Sequence, residues 1–97
     1  MARSLLERRL SDLSQRLKRV RADLRVAEEQ LSHFTDEADE ARLRALVSET
    51  PLAEHEHRAA EKHAEAMRRH RQDLGAEVNQ LEKAQDDLLD RLMADRS

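Results

Sequence analysis

Residues 6–45 read LERRLSDLSQRLKRVRADLRVAEEQLSHFTDEADEARLRA. The apolar positions in this stretch are Leu6, Leu10, Leu13, Leu17, Val20, Leu24, Ala27, Leu31, Phe34, Ala38, Ala41 and Ala45. The steps between them alternate four and three without interruption. That spacing keeps one narrow seam of an α-helix facing a partner, whereas a strand would place its apolar residues two apart. An all-α fold follows, built from long helices with a thin apolar seam.

Composition agrees. Of the 97 residues, 38% are hydrophobic and 40% charged, with one Phe and no Tyr or Trp. Such a chain lacks the bulk for a broad globular core, but it has what amphipathic helices need. High charge is also a mark of disorder; the sustained heptads and the wealth of Ala, Leu, Glu and Arg argue for helix instead. There is no cysteine, which excludes disulfides, thiol chemistry and Cys-ligated metal. Arginines punctuate residues 1–10, unlike a signal peptide, and no apolar run approaches a membrane span. A cytoplasmic protein with no membrane association is the expectation.

Ser4, with Glu7 three residues later, forms a capping-box pattern and predicts a first helix over about residues 4–47. Thr35 followed by Asp36 and Glu37 resembles a second helix start. Continuity is preferred there, because Phe34, Ala38, Ala41 and Ala45 keep the seam in phase. The firm stop is Ser48-Glu49-Thr50-Pro51. The only proline of the chain suits a first helical position, with Thr50 as its N-cap. The second helix is then expected over about residues 51–94. Its seam is Ala53, His57, Ala60, Ala64, Met67, Arg71, Leu74, Val78, Leu81, Gln85, Leu88 and Leu92.

Two long helices joined so briefly predict an antiparallel coiled-coil hairpin occupying residues 1–97 as one domain. Facing residues should have numbers summing to 98, which pairs Leu17 with Leu81, Leu24 with Leu74 and Ala38 with Ala60. Large residues then meet large ones toward the termini, and alanines meet alanines toward the turn. Arg71 falls opposite Ala27, where its stem can lie across the small residue while its charge stays in water. The charge layout fits as well. Residues 1–26 hold eight Lys or Arg against three acids, and residues 73–97 hold three against seven. Leu5, Val26, Leu43, Leu46, Val47, Leu52, Leu89 and Met93 lie off the seam. A lone two-helix hairpin has a thin core, so these surplus residues predict self-association into a dimeric four-helix arrangement.

Catalytic machinery is not expected: paired carboxylates need a concave, partly dry pocket, and a slender hairpin offers none. The chain reads as a non-enzymatic protein–protein interaction, scaffold or adaptor module without cofactor. Its partner-binding candidates gather toward the turn: Asp36, Asp39, Leu46, Glu49, Leu52, Glu54 and Glu56. Arg16 to Arg21 and Arg68 to Arg71 are basic, yet no aromatic platform accompanies them, so nucleic-acid binding is not expected. His55 and His57 point to different faces of a helix and make no helical metal pair. A histidine metal site is conceivable only between subunits, assembled from residues such as His57 and His63.

The run Asp36-Glu37-Ala38-Asp39-Glu40-Ala41 is similar to the Asp-x-x-Asp-x-Ala tip pattern of one class of bacterial transcription factors, of the Gre and related kinds. Those factors insert a coiled-coil hairpin into the secondary channel of RNA polymerase. The resemblance implies an alternative role as a regulator of RNA polymerase or another nucleic-acid machine, acting through an acidic tip. It covers six residues. In the register above these lie two to three turns from the reversal, and the zinc-binding cysteines usual in such factors are missing.

Overall fold

A computed structural model describes residues 2–96. It consists of two helices, α1 (Ala2–Ser48) and α2 (Pro51–Arg96), with no strand among the described residues. α1 runs unbroken through Ser32, His33 and Thr35, and half-buried Thr35 continues the helix and does not cap a new one. The N-terminal expectation needs correction. α1 already includes Ala2, so Ser4 lies inside the helix, and Glu7 accepts a 3.0 Å bond from Arg3 Nε. An arginine one turn before Glu7 offers it a charge-assisted partner, which a capping-box backbone amide does not match.

The reversal is set by three adjacent residues. Glu49 has φ 54°, the left-handed conformation, and its N–H donates to the Ala45 carbonyl at 3.0 Å. That bond ends α1 by the αL motif, which glycine usually serves. Thr50 then caps α2: its Oγ1 accepts the Ala53 N–H at 3.1 Å, and its carbonyl accepts the Glu54 N–H at 3.1 Å. Pro51 occupies the first helical position, where a missing N–H costs nothing.

The chain divides into two compact units, each made from a part of both helices. The terminal unit comprises α1 as far as Leu24 and α2 from Leu74 onward; the turn unit is Arg25–Asp73. In the terminal unit, Leu17, Val20 and Val78 form the buried cluster, flanked by half-buried Leu24, Leu74 and Leu81. Leu17 is 1% exposed and is the largest fully buried side chain among the described residues. Polar contacts across the two helices follow the antiparallel register. Gln85 Nε2 donates to Ser14 Oγ at 3.1 Å, Arg16 pairs with Glu77, and Arg21 lies 3.4 Å from Glu82. The Gln85–Ser14 bond lets a polar residue occupy the seam with a hydrogen bond made. The ion pairs are half-exposed, and such pairs contribute only about 0–1 kcal/mol each.

The turn unit is packed differently. Its buried residues are Ala27, Ala38, Ala41, Ala45, Ala53 and Ala64. Phe34 is half-buried and meets His63 edge-on, with ring centroids 5.9 Å apart. Arg71 is exposed while Ala27 is 1% exposed, in keeping with a stem across a small residue and a charge in water. Antiparallel packing of α1 on α2 in each unit makes the chain a helical hairpin.

Candidate functional site

The expected partner-binding residues all lie in the turn unit, and all seven are exposed. On α1, Asp36, Asp39, Glu40, Leu43, Leu46 and Val47 follow the i, i+3, i+4, i+7 rule. They share the face opposite the buried Ala38, Ala41 and Ala45. This outer face is therefore acidic first and apolar as it reaches the reversal. Val47 is 86% exposed, the most open large apolar side chain among the described residues.

Leu46, Glu49 and Glu54 come together around one surface depression of about 420 Å³, completed by Ala45, Thr50 and Pro51. The geometry follows from the caps: the left-handed Glu49 and the capping Thr50 fold the end of α1 against the first turn of α2. Glu56 lies elsewhere, at a second depression of about 380 Å³, together with Glu37, Glu40 and Arg44. Asp36, Asp39 and Leu52 line neither of these. The seven candidates thus form a dispersed acidic and apolar surface and not one convergent cleft.

Two apolar residues belong to this surface that the candidate set omitted, Leu43 and Val47. Their signal was present, because the step from Leu43 to Leu46 and Val47 is a helical face of its own. The Asp36 to Ala41 run sits within continuous α1, and Ala38 and Ala41 are buried in the seam. Its acids are therefore flanks of a helix and do not lie at the reversal.

Three of the five histidines have contacts of their own. His33 Nε2 lies 3.2 Å from Glu37, His57 Nε2 lies 3.6 Å from Glu61, and His63 packs on Phe34. Among the described residues no group of three or more His, Cys, Asp or Glu is placed to hold a metal ion within one chain. No helix among them is long and apolar enough to cross a membrane. No protein-family model, curated protein or solved structure matches the chain.

Proposed function

We propose that this hairpin is a non-enzymatic protein–protein interaction module, a scaffold or adaptor, which pairs with itself as a coiled-coil four-helix arrangement over part of its length. One observation carries the reading. Among the described residues, eight large apolar side chains stay exposed although the seam between α1 and α2 is already filled. Single exposed leucines are ordinary, but groups of them at helical spacing on so small a chain favour association. Self-association also supplies what a two-helix core lacks, since burial between hairpins adds to the few large side chains buried within one.

The acidic and apolar surface at the turn, with Asp36, Asp39, Leu46, Glu49, Leu52, Glu54 and Glu56, is the contact for a further protein. Size-exclusion chromatography with light scattering tests the self-association directly. A mass near twice the 11.3 kDa chain is expected. A monomer at every concentration up to the millimolar range overturns it.

A further inference from the structure

In the turn unit, Arg25–Asp73, the outer faces of the two helices carry opposite signs. Seven-residue repeats put Glu29, Asp36 and Leu43 at the point of α1 farthest from the seam, and His55, Lys62 and Arg69 at the same point of α2. All six are exposed, as are Asp39 beside the first line and Arg58 beside the second. Glu29, Asp36, Asp39, Arg58, Lys62 and Arg69 form no ion pair among the described residues, whereas His33–Glu37, His57–Glu61 and Arg68–Glu65 pair within their own helices. The outer charges are therefore unspent.

The two faces point to opposite sides of the hairpin, so they can meet only between copies. Joining two α1 faces sets acid against acid, and joining two α2 faces sets base against base. Opposite signs meet only when α1 of one copy lies on α2 of the next. The levels agree as well. Within the unit the antiparallel register sets Ala38 level with Ala60 and Phe34 against His63. A second turn unit alongside, pointing the same way, keeps those levels and brings Glu29 to Arg69, Asp36 to Lys62 and Asp39 to Arg58 of the neighbour. Leu46 and Val47 come level with the neighbour's Leu52, and all three are exposed. Glu65, an acid within the basic face, falls level with uncharged Ser32 and accepts a bond from Arg68 at 2.7 Å. Sliding the copies by one heptad destroys the match: Asp39 then faces Glu65 in one direction, and Leu43 passes the end of α2 in the other.

We infer that turn units of this chain pack side by side, the outer face of α1 in one copy on the outer face of α2 in the next. Such a contact is heterologous: the first one makes a dimer, and each end stays open to a further copy. The inference rests on the proposed self-association and names its surface. One acidic α1 face remains uncovered at the end of any such row, where a different protein can dock.

Sedimentation equilibrium at low salt on four proteins tests it: the natural chain, the double variant Asp36→Lys with Asp39→Lys, the double variant Arg58→Glu with Lys62→Glu, and the terminal-unit control Leu89→Glu with Met93→Glu. All the altered residues are exposed, and circular dichroism confirms helix content in each. The mass of the natural chain should reach two copies and rise past that with concentration. The dissociation constant should increase by about tenfold or more in each turn-unit variant and stay unchanged in the control. An equimolar mixture of the two turn-unit variants should associate again. In every mixed contact either natural acids meet natural bases or introduced lysines meet introduced glutamates. A natural chain that stops at two copies, oligomers that survive either turn-unit variant, or a mixture that stays dissociated overturns the inference and leaves the proposed self-association standing. A natural chain that is monomeric at every concentration removes both.

Discussion

Replacing Leu17 with Ala tests the packing of the terminal unit most directly. Leu17 is 1% exposed and clusters with Val20 and Val78, with Leu24, Leu74 and Leu81 against them. Truncation removes three buried carbon groups, worth roughly 0.8 kcal/mol each as transfer, or about 2.4 kcal/mol. A cavity term adds to this, but two helices can close on each other more readily than a globular core can. The expected loss is therefore about 2.5–3.5 kcal/mol, within the lower part of the range for buried leucines. Val47→Ala is the internal control. At 86% exposure it has little contact to lose, and its stability should change by no more than about 0.5 kcal/mol. Urea unfolding followed by helix circular dichroism measures both, and the midpoints should be taken at several protein concentrations. Association stabilises the folded state by mass action, so a concentration-dependent midpoint separates pairing between chains from packing within one. If Leu17→Ala and Val47→Ala shift the midpoint equally, Leu17 is not in the seam and the antiparallel register falls.

Other substitutions test the reversal and the helix interior. Glu49→Gly should raise stability by about 0.5–1 kcal/mol, because a left-handed L-residue costs about 1–2 kcal/mol and glycine returns part of that as unfolded-chain entropy. Equal or lower stability in chemical unfolding would show that Glu49 is not held left-handed. Thr50→Ala should cost about 1 kcal/mol by leaving the Ala53 N–H without its cap, and Thr50→Ser should lose far less. At Gly75 an added Cβ meets nothing within 4 Å, so Gly75→Ala should stabilise α2 by about 0.5–1 kcal/mol. A drop in stability or in dimer mass on that change would mean that another chain approaches the helix there.

Seam periodicity alone placed most of this fold. Every one of the twelve α1 seam positions is buried or half-buried, and on α2 only Arg71 is exposed, as its charge requires. Heptad spacing is legible because burial acts on whole turns of helix, and one polar residue such as Gln85 does not shift its phase. Pro51 and Thr50 were equally readable, since their roles depend on their own backbone and side chain. Glu49 was not, because glutamate has no preference for the left-handed region and is held there by the two helix ends around it. Ser4 misled through a local pattern that the Arg3–Glu7 pair displaces. The candidate site was legible only as a region. Charge and nearness to the turn identify Asp36 or Glu56 as exposed, but which exposed residues share a depression depends on how two helix surfaces meet.

The six buried alanines of the turn unit bear on how the chain can change over generations. Every coding change at an alanine other than to glycine enlarges the side chain, and where methyl groups already fill the space between helices the added atoms must push them apart. The terminal unit, built on leucine and valine, instead meets mostly losses of volume and can settle around them. One part of the chain is thus vulnerable to addition and the other to removal. Random mutagenesis scored for retained helix should therefore accept Leu-to-Met or Val-to-Ile exchanges near the termini while rejecting almost every replacement at Ala38, Ala41 and Ala45.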